Sequence, residues 1–312
     1  MDLLPSEEQD AIASAAADVL ADLGYPERAN ELAAGGESAD DKLWVLVVDL
    51  GWLSLRLSED AGGAGYGLPE QVMVARELGR ALAVGPVMAG MVAASVATDE
   101  LRSEVVAGRP VGWELGPDGD DLLVLGTGDL MLRSTEDGLA FRRLEQTAEP
   151  VGGIDPTAPL GRVPQSTGGL VATGDAHVAE AASVLISAAL AGIAEAVRDQ
   201  AVAHAKSREQ FGRPIGSFQA IKHTCADMAV RAEAAWRQVC WAALAVHDRH
   251  DDAATQARAA RIVAQDAALI GAADNIQVHG AMGFTAEHTA HLYLKRARTW
   301  ATLMPVRGVD LL

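Results

Sequence analysis

The stretch Arg208-Glu-Gln-Phe-Gly-Arg-Pro-Ile-Gly-Ser-Phe-Gln-Ala-Ile-Lys-His223 decides how this 312-residue chain reads, because of what flanks it. Upstream, Ile186, Leu190, Ile193 and Val197 recur at intervals of four, three and four, the spacing of a buried helix face. Downstream, two long Ala-rich segments, about Phe218 to Val246 and Asp252 to His279, read as helices. From about Asp175 to the C-terminus the chain is therefore expected to be helical.

Working outward, residues 106–174 change character. Short runs such as Leu122-Leu-Val-Leu125, Leu130-Met-Leu-Arg133 and Leu139-Ala-Phe-Arg142 are separated by Asp-Gly turns and predict a small β domain, with a loop at Asp155-Pro-Thr near its end. Residues 1–105 read as helices again. Ser6-Glu-Glu opens one with acidic residues in its first turn, where the helix dipole favours them. A second apolar run spans Leu43 to Leu57, and Pro69 begins another helix that extends to Leu82. The cluster Glu59-Asp-Ala-Gly-Gly-Ala-Gly-Tyr-Gly67 between them follows no clear strand and lacks a following Lys-Ser. It reads as an interhelical loop and not as a phosphate-binding loop.

Composition narrows the function classes. Hydrophobic residues make up 49% of the chain but aromatics only 4%, which suits close-packed helices better than an aromatic-rich sandwich. A formal charge of -18 argues against a nucleic-acid partner, since phosphate neutralisation needs Lys and Arg. The two cysteines, Cys225 and Cys240, are expected in one helix, too far apart to pair, as in a reduced cytosolic protein. The N-terminus lacks a basic start followed by an apolar run, and no uninterrupted apolar stretch reaches the length of a membrane span, so a soluble cytoplasmic protein is expected.

The Arg208–His223 stretch resembles the most recognisable segment of the flavin-dependent acyl-CoA dehydrogenases. So do Gln277-Val-His-Gly-Ala-Met-Gly-Phe-Thr-Ala-Glu-His288 and His291-Leu-Tyr-Leu-Lys-Arg-Ala-Arg298. The resemblance covers nearly the whole chain, strongly in the last segment, in Gly51-Trp-Leu and in Glu77-Leu-Gly79, and weakly in the middle. It implies an α+β, mainly helical fold: an N-terminal helical domain (1–105), a small β domain (106–174) and a C-terminal four-helix bundle (175–312) that contacts FAD and mediates oligomerisation. It also implies a reaction in which a carboxylate removes the α-proton of a CoA thioester and the flavin accepts the β-hydrogen as hydride.

Against that pattern the chain lacks its base. Family members place a glutamate after the segment matching Lys295-Arg-Ala-Arg298, where this chain has Met304 followed by Pro305. The alternative position, counted back from Arg208, holds Ala182. Glu180 is the only carboxylate near it, two residues early. About 200° of helical rotation should then turn Glu180 away from a pocket that residue 182 faces, leaving it a solvated acid in the helix's first turn. The flavin contacts fare better. The resemblance assigns Arg208 and Phe211 to the pyrophosphate and adenine of a dinucleotide bound mainly by a neighbouring subunit, and Gln277 and Gly280 to the same ADP portion; Ala281 replaces the family's second glycine. The Thr-Glu-Pro stretch that holds the flavin ring has no counterpart between Val111 and Val163, where Trp113-Glu-Leu-Gly116 lacks the hydroxyl donor.

His288 and His291 have helical spacing and His279 lies close in sequence, yet no acidic or cysteine ligands accompany them, so no metal is expected. Glu287-His288 and Tyr293 resemble the variant of this motif in bacterial dehydrogenases acting on steroid side chains. The expectation is a base-lacking subunit of a heteromeric, α2β2 acyl-CoA dehydrogenase, paired with a homologous chain that carries the glutamate and acting on a sterol side-chain CoA thioester. The alternatives are a self-sufficient homotetramer using Glu180, and a degenerate scaffold or acyl-CoA-binding member.

Overall fold

The computed structural model describes residues 4–37, 39–126, 128–165 and 168–304; Pro305 lies outside them. Six helices open the described chain: α1 (Glu7–Asp22), α2 (Glu27–Gly35), α3 (Asp41–Asp49), α4 (Leu68–Arg80), α5 (Val87–Val96) and α6 (Asp99–Val106). Ser6 starts α1 through a capping box: its Oγ accepts from the Gln9 N–H at 3.2 Å, and Gln9 Oε1 accepts from the Ser6 N–H at 3.0 Å. The apolar run Leu43 to Leu57 is not one helix. Gly51, at φ 68°, terminates α3, and a short 3₁₀ turn, Trp52–Ser54, follows. The glycine cluster is a connection built on a second 3₁₀ turn, Glu59–Ala61.

Seven strands follow: β1 (Val111–Asp118), β2 (Asp121–Leu125), β3 (Leu130–Ser134), β4 (Leu139–Arg143), β5 (Glu149–Val151), β6 (Leu160–Pro164) and β7 (Gly169–Gly174). They form one sheet in the order β5-β6-β2-β1-β3-β4-β7, antiparallel except for the β1–β3 pair. One face sends Val111, Trp113, Leu132 and Phe141 into the main core, and the other covers a small cluster of Leu122, Val124, Met131, Leu144 and Val163. Alternation along each strand produces this division.

The chain then enters α7 (Ala176–Ser207), a tight hairpin of β8 (Glu209–Gln210) and β9 (Arg213–Pro214), and the helices α8 (Gln219–His247), α9 (Ala253–His279) and α10 (Ala290–Ala301). Helix α7 is the spine of the molecule. By length and composition it could cross a membrane, with a mean hydropathy of 1.6, but Glu180 and Glu195 interrupt it and 67% of its most apolar window is buried inside the protein. Small residues let it pack closely: a Cβ on Gly192 would stand 2.0 Å from the Arg76 carbonyl oxygen, and one on Gly79 1.9 Å from that of Ala189, so α4 and α7 touch backbone to backbone. Both cysteines lie in α8 and both are free thiols.

Two ionic clusters join these layers. Glu195 of α7, nearly buried, receives Arg76 at 2.8 Å and Arg80 at 2.7 Å from α4. Arg296 of α10 meets Asp155 at 2.6 Å with both side chains almost fully buried, and also donates to the Ala83 carbonyl and Thr157 Oγ1. Asp155 in turn accepts from the N–H and hydroxyl of Thr157. A buried pair of this kind holds only because its remaining lone pairs and protons are satisfied.

Candidate functional site

The turn after α10 is held from below. Arg261 of α9 is fully buried and its Nη2 donates to the carbonyls of Trp300 (2.8 Å), Ala301 (3.2 Å) and Leu303 (2.7 Å). No carboxylate faces it among the described residues, its Nε and Nη1 have no partner there, and burial pushes the guanidinium down to about 10. The carbonyls therefore take the place of a counter-ion. Directly beyond, Met304 adopts a left-handed conformation, φ 47°, unusual for a residue with a side chain.

Met304 lines an open cleft together with Ser134, Glu136, Glu180, Ser183 and Arg258. This corrects the rotational argument. Ala182 is 1% exposed and points into the core, whereas Glu180, on the other side of α7, faces the cleft of Met304. Nor does Glu180 lie in the helix's first turn: it is the fifth residue of α7 and half-buried. Burial raises its carboxyl above the ordinary range, Asp175 adds to the shift and Arg249 opposes it.

A second constellation is built on the far ends of α7 and α9. Arg208 caps α7, its N–H donating to the His204 carbonyl, and its own carbonyl accepts from Ile215 N–H, closing the β8–β9 hairpin. At the hairpin tip Phe211 has φ 53° and is 91% exposed; its ring stands edge-on to Phe218 at 6.1 Å, and Arg213 lies over that second ring at 4.3 Å. Gln277 is exposed in the last turn of α9. Gly280, at φ 64° and ψ -141°, ends the helix, and a Cβ placed there would meet nothing within 4 Å. Ala281 is exposed on the 3₁₀ turn Gly280–Phe284 that follows, beside the exposed Met282 and Phe284.

The sequence reading missed what joins these segments. His204, one turn before Arg208, stacks on His279 with ring centroids 4.2 Å apart and planes at 29°; His288 follows at 4.4 Å. His288 is not on the helix with His291. It precedes α10, and its Nδ1 accepts from the Ala290 N–H at 3.0 Å. His279 Nδ1 lies 2.9 Å from the Asn275 carbonyl. Only the distance of each histidine from its motif (four residues before Arg208, two after Gln277) could have hinted at this, and only if the helix ends were known to meet. Among the described residues no three His, Cys, Asp or Glu side chains form a metal-ligand group.

A third feature lies where the sheet faces α5 and α10. Trp113 of β1 is 2% exposed and lines a small pocket with Pro86, Met88, Leu125, Trp300 and Leu303. Its indole N–H has no acceptor among the described residues.

Comparison with known proteins decides the family. The family models of the acyl-CoA dehydrogenase N-terminal and C-terminal domains match residues 6–107 and 180–303. The chain is 34% identical over 309 residues to the acyl-CoA dehydrogenase IpdE2 of Mycobacterium tuberculosis, covering 97% of this chain and 94% of that protein. The chain belongs to the acyl-CoA dehydrogenase family. Its fold is shared with the ChsE4–ChsE5 complex of M. tuberculosis, with TM-score 0.79, 24% identity, and 96% of this chain and 94% of the other covered. The steroid acyl-CoA dehydrogenase Tcur3481–Tcur3483 is also similar, with TM-score 0.76, 23% identity and coverage of 95% and 93%.

Acyl-CoA dehydrogenases are FAD-dependent oxidoreductases acting on CH–CH bonds. The residues here fit one half of that cofactor better than the other. The exposed Phe211 ring, the Arg208 guanidinium and the open backbone at Gly280 have the chemistry to receive an adenine and a diphosphate at the surface. Around Trp113 the lining is mostly apolar, and the buried indole offers an N–H and no hydroxyl.

Proposed function

We propose that this chain is the base-lacking subunit of a heteromeric, cytoplasmic acyl-CoA dehydrogenase, an α2β2 assembly with a homologous subunit that carries the catalytic glutamate. Arg208, Phe211, Gln277 and Gly280 hold the ADP half of a FAD whose ring lies on the partner. The assembly forms the α,β double bond of a CoA thioester, and a sterol side-chain CoA is the substrate class suggested by the steroid acyl-CoA dehydrogenase among its structural relatives. Bound FAD supplies the hydride acceptor; this chain supplies anchoring charge, an aromatic contact and close backbone approach.

The observation that carries this reading is Met304. The turn that presents it is pinned by Arg261, so the site is built, while a thioether cannot accept the α-proton. Support comes from the exposed apolar residues Phe211, Met282 and Phe284, since apolar surface of this kind marks protein interfaces. The two-chain relatives agree with such a partner. Flavin absorbance per chain tests the proposal. We expect no retained flavin in the lone protein, and one flavin per pair of unlike chains after co-expression with the homologous dehydrogenase. A full flavin complement and turnover in the lone chain would overturn it.

A second reading has one observation in its favour. Glu180 shares the cleft of Met304 and its carboxyl is raised, so a self-sufficient homotetramer could recruit it as base.

A further inference from the structure

The imidazole row bridges the two segments assigned to the ADP half, and its protonation chemistry is asymmetric. His288 Nδ1 accepts from a backbone N–H, so its proton resides on Nε2 and a second proton on Nδ1 would displace that hydrogen bond. His279 lies with Nδ1 against a carbonyl, so Nδ1 carries the proton and Nε2 keeps a lone pair. His204, stacked on its other side, makes no hydrogen bond through its ring among those found. The row thus has one end tied to the backbone at His288 and a free-ringed end at His204, one helical turn from Arg208.

Charges reach the row from several elements. Arg208 follows His204 directly after α7; His291 of α10 faces His288 and is itself next to Lys295; Glu27 of α2 and Asp155 are the opposing charges, acting on His288 and His291 respectively. Burial first, and then the neighbouring imidazoles and Arg208, hold His204 below the usual histidine range.

We propose that His204, stacked on His279, forms a proton-coupled extension of the diphosphate site, taking up a proton when a dinucleotide diphosphate docks beside Arg208. This rests on the reading that Arg208 and Gln277 face the ADP half of FAD. Two negative charges arriving next to Arg208 offset the guanidinium that helps hold His204 low, and favour a proton on the His204 ring one helical turn away. No bond is made or broken; the proton comes from solvent. His288 is the fixed neutral backing of the row.

Calorimetry of FAD binding to the flavin-stripped complex, run near neutral pH in phosphate and in Tris, reads the proton directly. The heats should differ by an amount corresponding to net uptake of a fraction of a proton up to one per FAD. Affinity should strengthen by up to about tenfold per pH unit as pH falls toward the histidine range. His204→Gln and His279→Gln should each abolish most of the uptake and flatten the pH dependence, while His288→Gln retains both. Identical heats in the two buffers, or uptake unchanged in His204→Gln and His279→Gln, would overturn the proposal. Histidine ring proton signals of the full chain titrated with inorganic pyrophosphate separate the two ideas. If FAD fails to bind but pyrophosphate shifts the His204 and His279 signals, the FAD reading falls and the anion site stands. If pyrophosphate moves neither signal and FAD does not bind, both fall.

Discussion

Glu180 and Met304 line one cleft, the first from the second turn of α7 and the second from the pinned turn after α10. The cleft therefore contains a carboxyl across from the thioether. If the partner supplies the base, Glu180→Gln in the assembled complex leaves kcat within about twofold of wild type, since nothing at the reacting carbon is lost. A fall of about a hundredfold or more with flavin content unchanged would move the base to this chain.

Three exposed residues proposed to contact the ADP half can be removed without damaging the fold. Arg208→Ala, Phe211→Ala and Gln277→Ala should leave the thermal midpoint close to wild type, because exposed substitutions usually cost within about 0.5 kcal/mol. Flavin retention should fall, most for Arg208→Ala, where loss of a charge-assisted contact of about 1.5–3 kcal/mol weakens binding by roughly ten- to a hundredfold. Flavin absorbance after gel filtration of the complex reads this out.

Breaking the Arg296–Asp155 pair is a test of architecture. Arg296→Met leaves Asp155 buried with only Thr157 to satisfy it, and the expected cost is about 3–5 kcal/mol in urea unfolding. The double variant Arg296→Met, Asp155→Asn should cost less than the single one, since the stranded charge is gone.

The α4–α7 contact gives a steric prediction. Gly192→Ala places a methyl 2.0 Å from the Arg76 carbonyl oxygen, and backbone cannot rotate away as a side chain can. The helices must separate, at a cost of roughly 1–3 kcal/mol or more. Because that shift moves Arg76 and Arg80 away from Glu195, the unfolding midpoint should drop further with added Glu195→Gln by less than the two separate losses combined.

Stability should also depend on acid through the histidines. Burial is the largest cause holding His204, His288 and His291 below the usual value, so the unfolded chain binds more protons than the folded one. Their contribution is fully present above the unfolded value of about 6.5 and is lost as pH falls from there through the depressed folded values. Glu77 and Glu114, raised chiefly by burial, act in the opposite sense as pH rises from about 4.5. Urea unfolding at successive pH values should show a decline beginning near 6.5, with a shallower slope in His291→Gln.

The long helices were legible because their signals are local: periodic apolar faces, a capping serine at Ser6 and Ala-rich runs that end within a residue or two of the expected bounds at Gln219–His247 and Ala253–His279. Strands β2, β3 and β4 announced themselves by alternation. The parallel β1–β3 pairing and the break at Gly51 did not, since the first depends on distant register and the second on one residue's φ inside an apolar run. The site divided the same way. Arg208, Phe211, Gln277 and Gly280 stood out as motifs, whereas the side of α7 that faces Met304 and the contact between His204 and His279 depend on how separate helices meet, which no local pattern records.

Arg261 holds the three carbonyls before Met304 whatever side chain occupies that turn. Backbone shape and chemical identity at position 304 are thereby uncoupled, and the residue there is free to vary while the wall of the cleft stays in place. A substitution at that position changes what the cleft can do chemically without changing how the cleft is built.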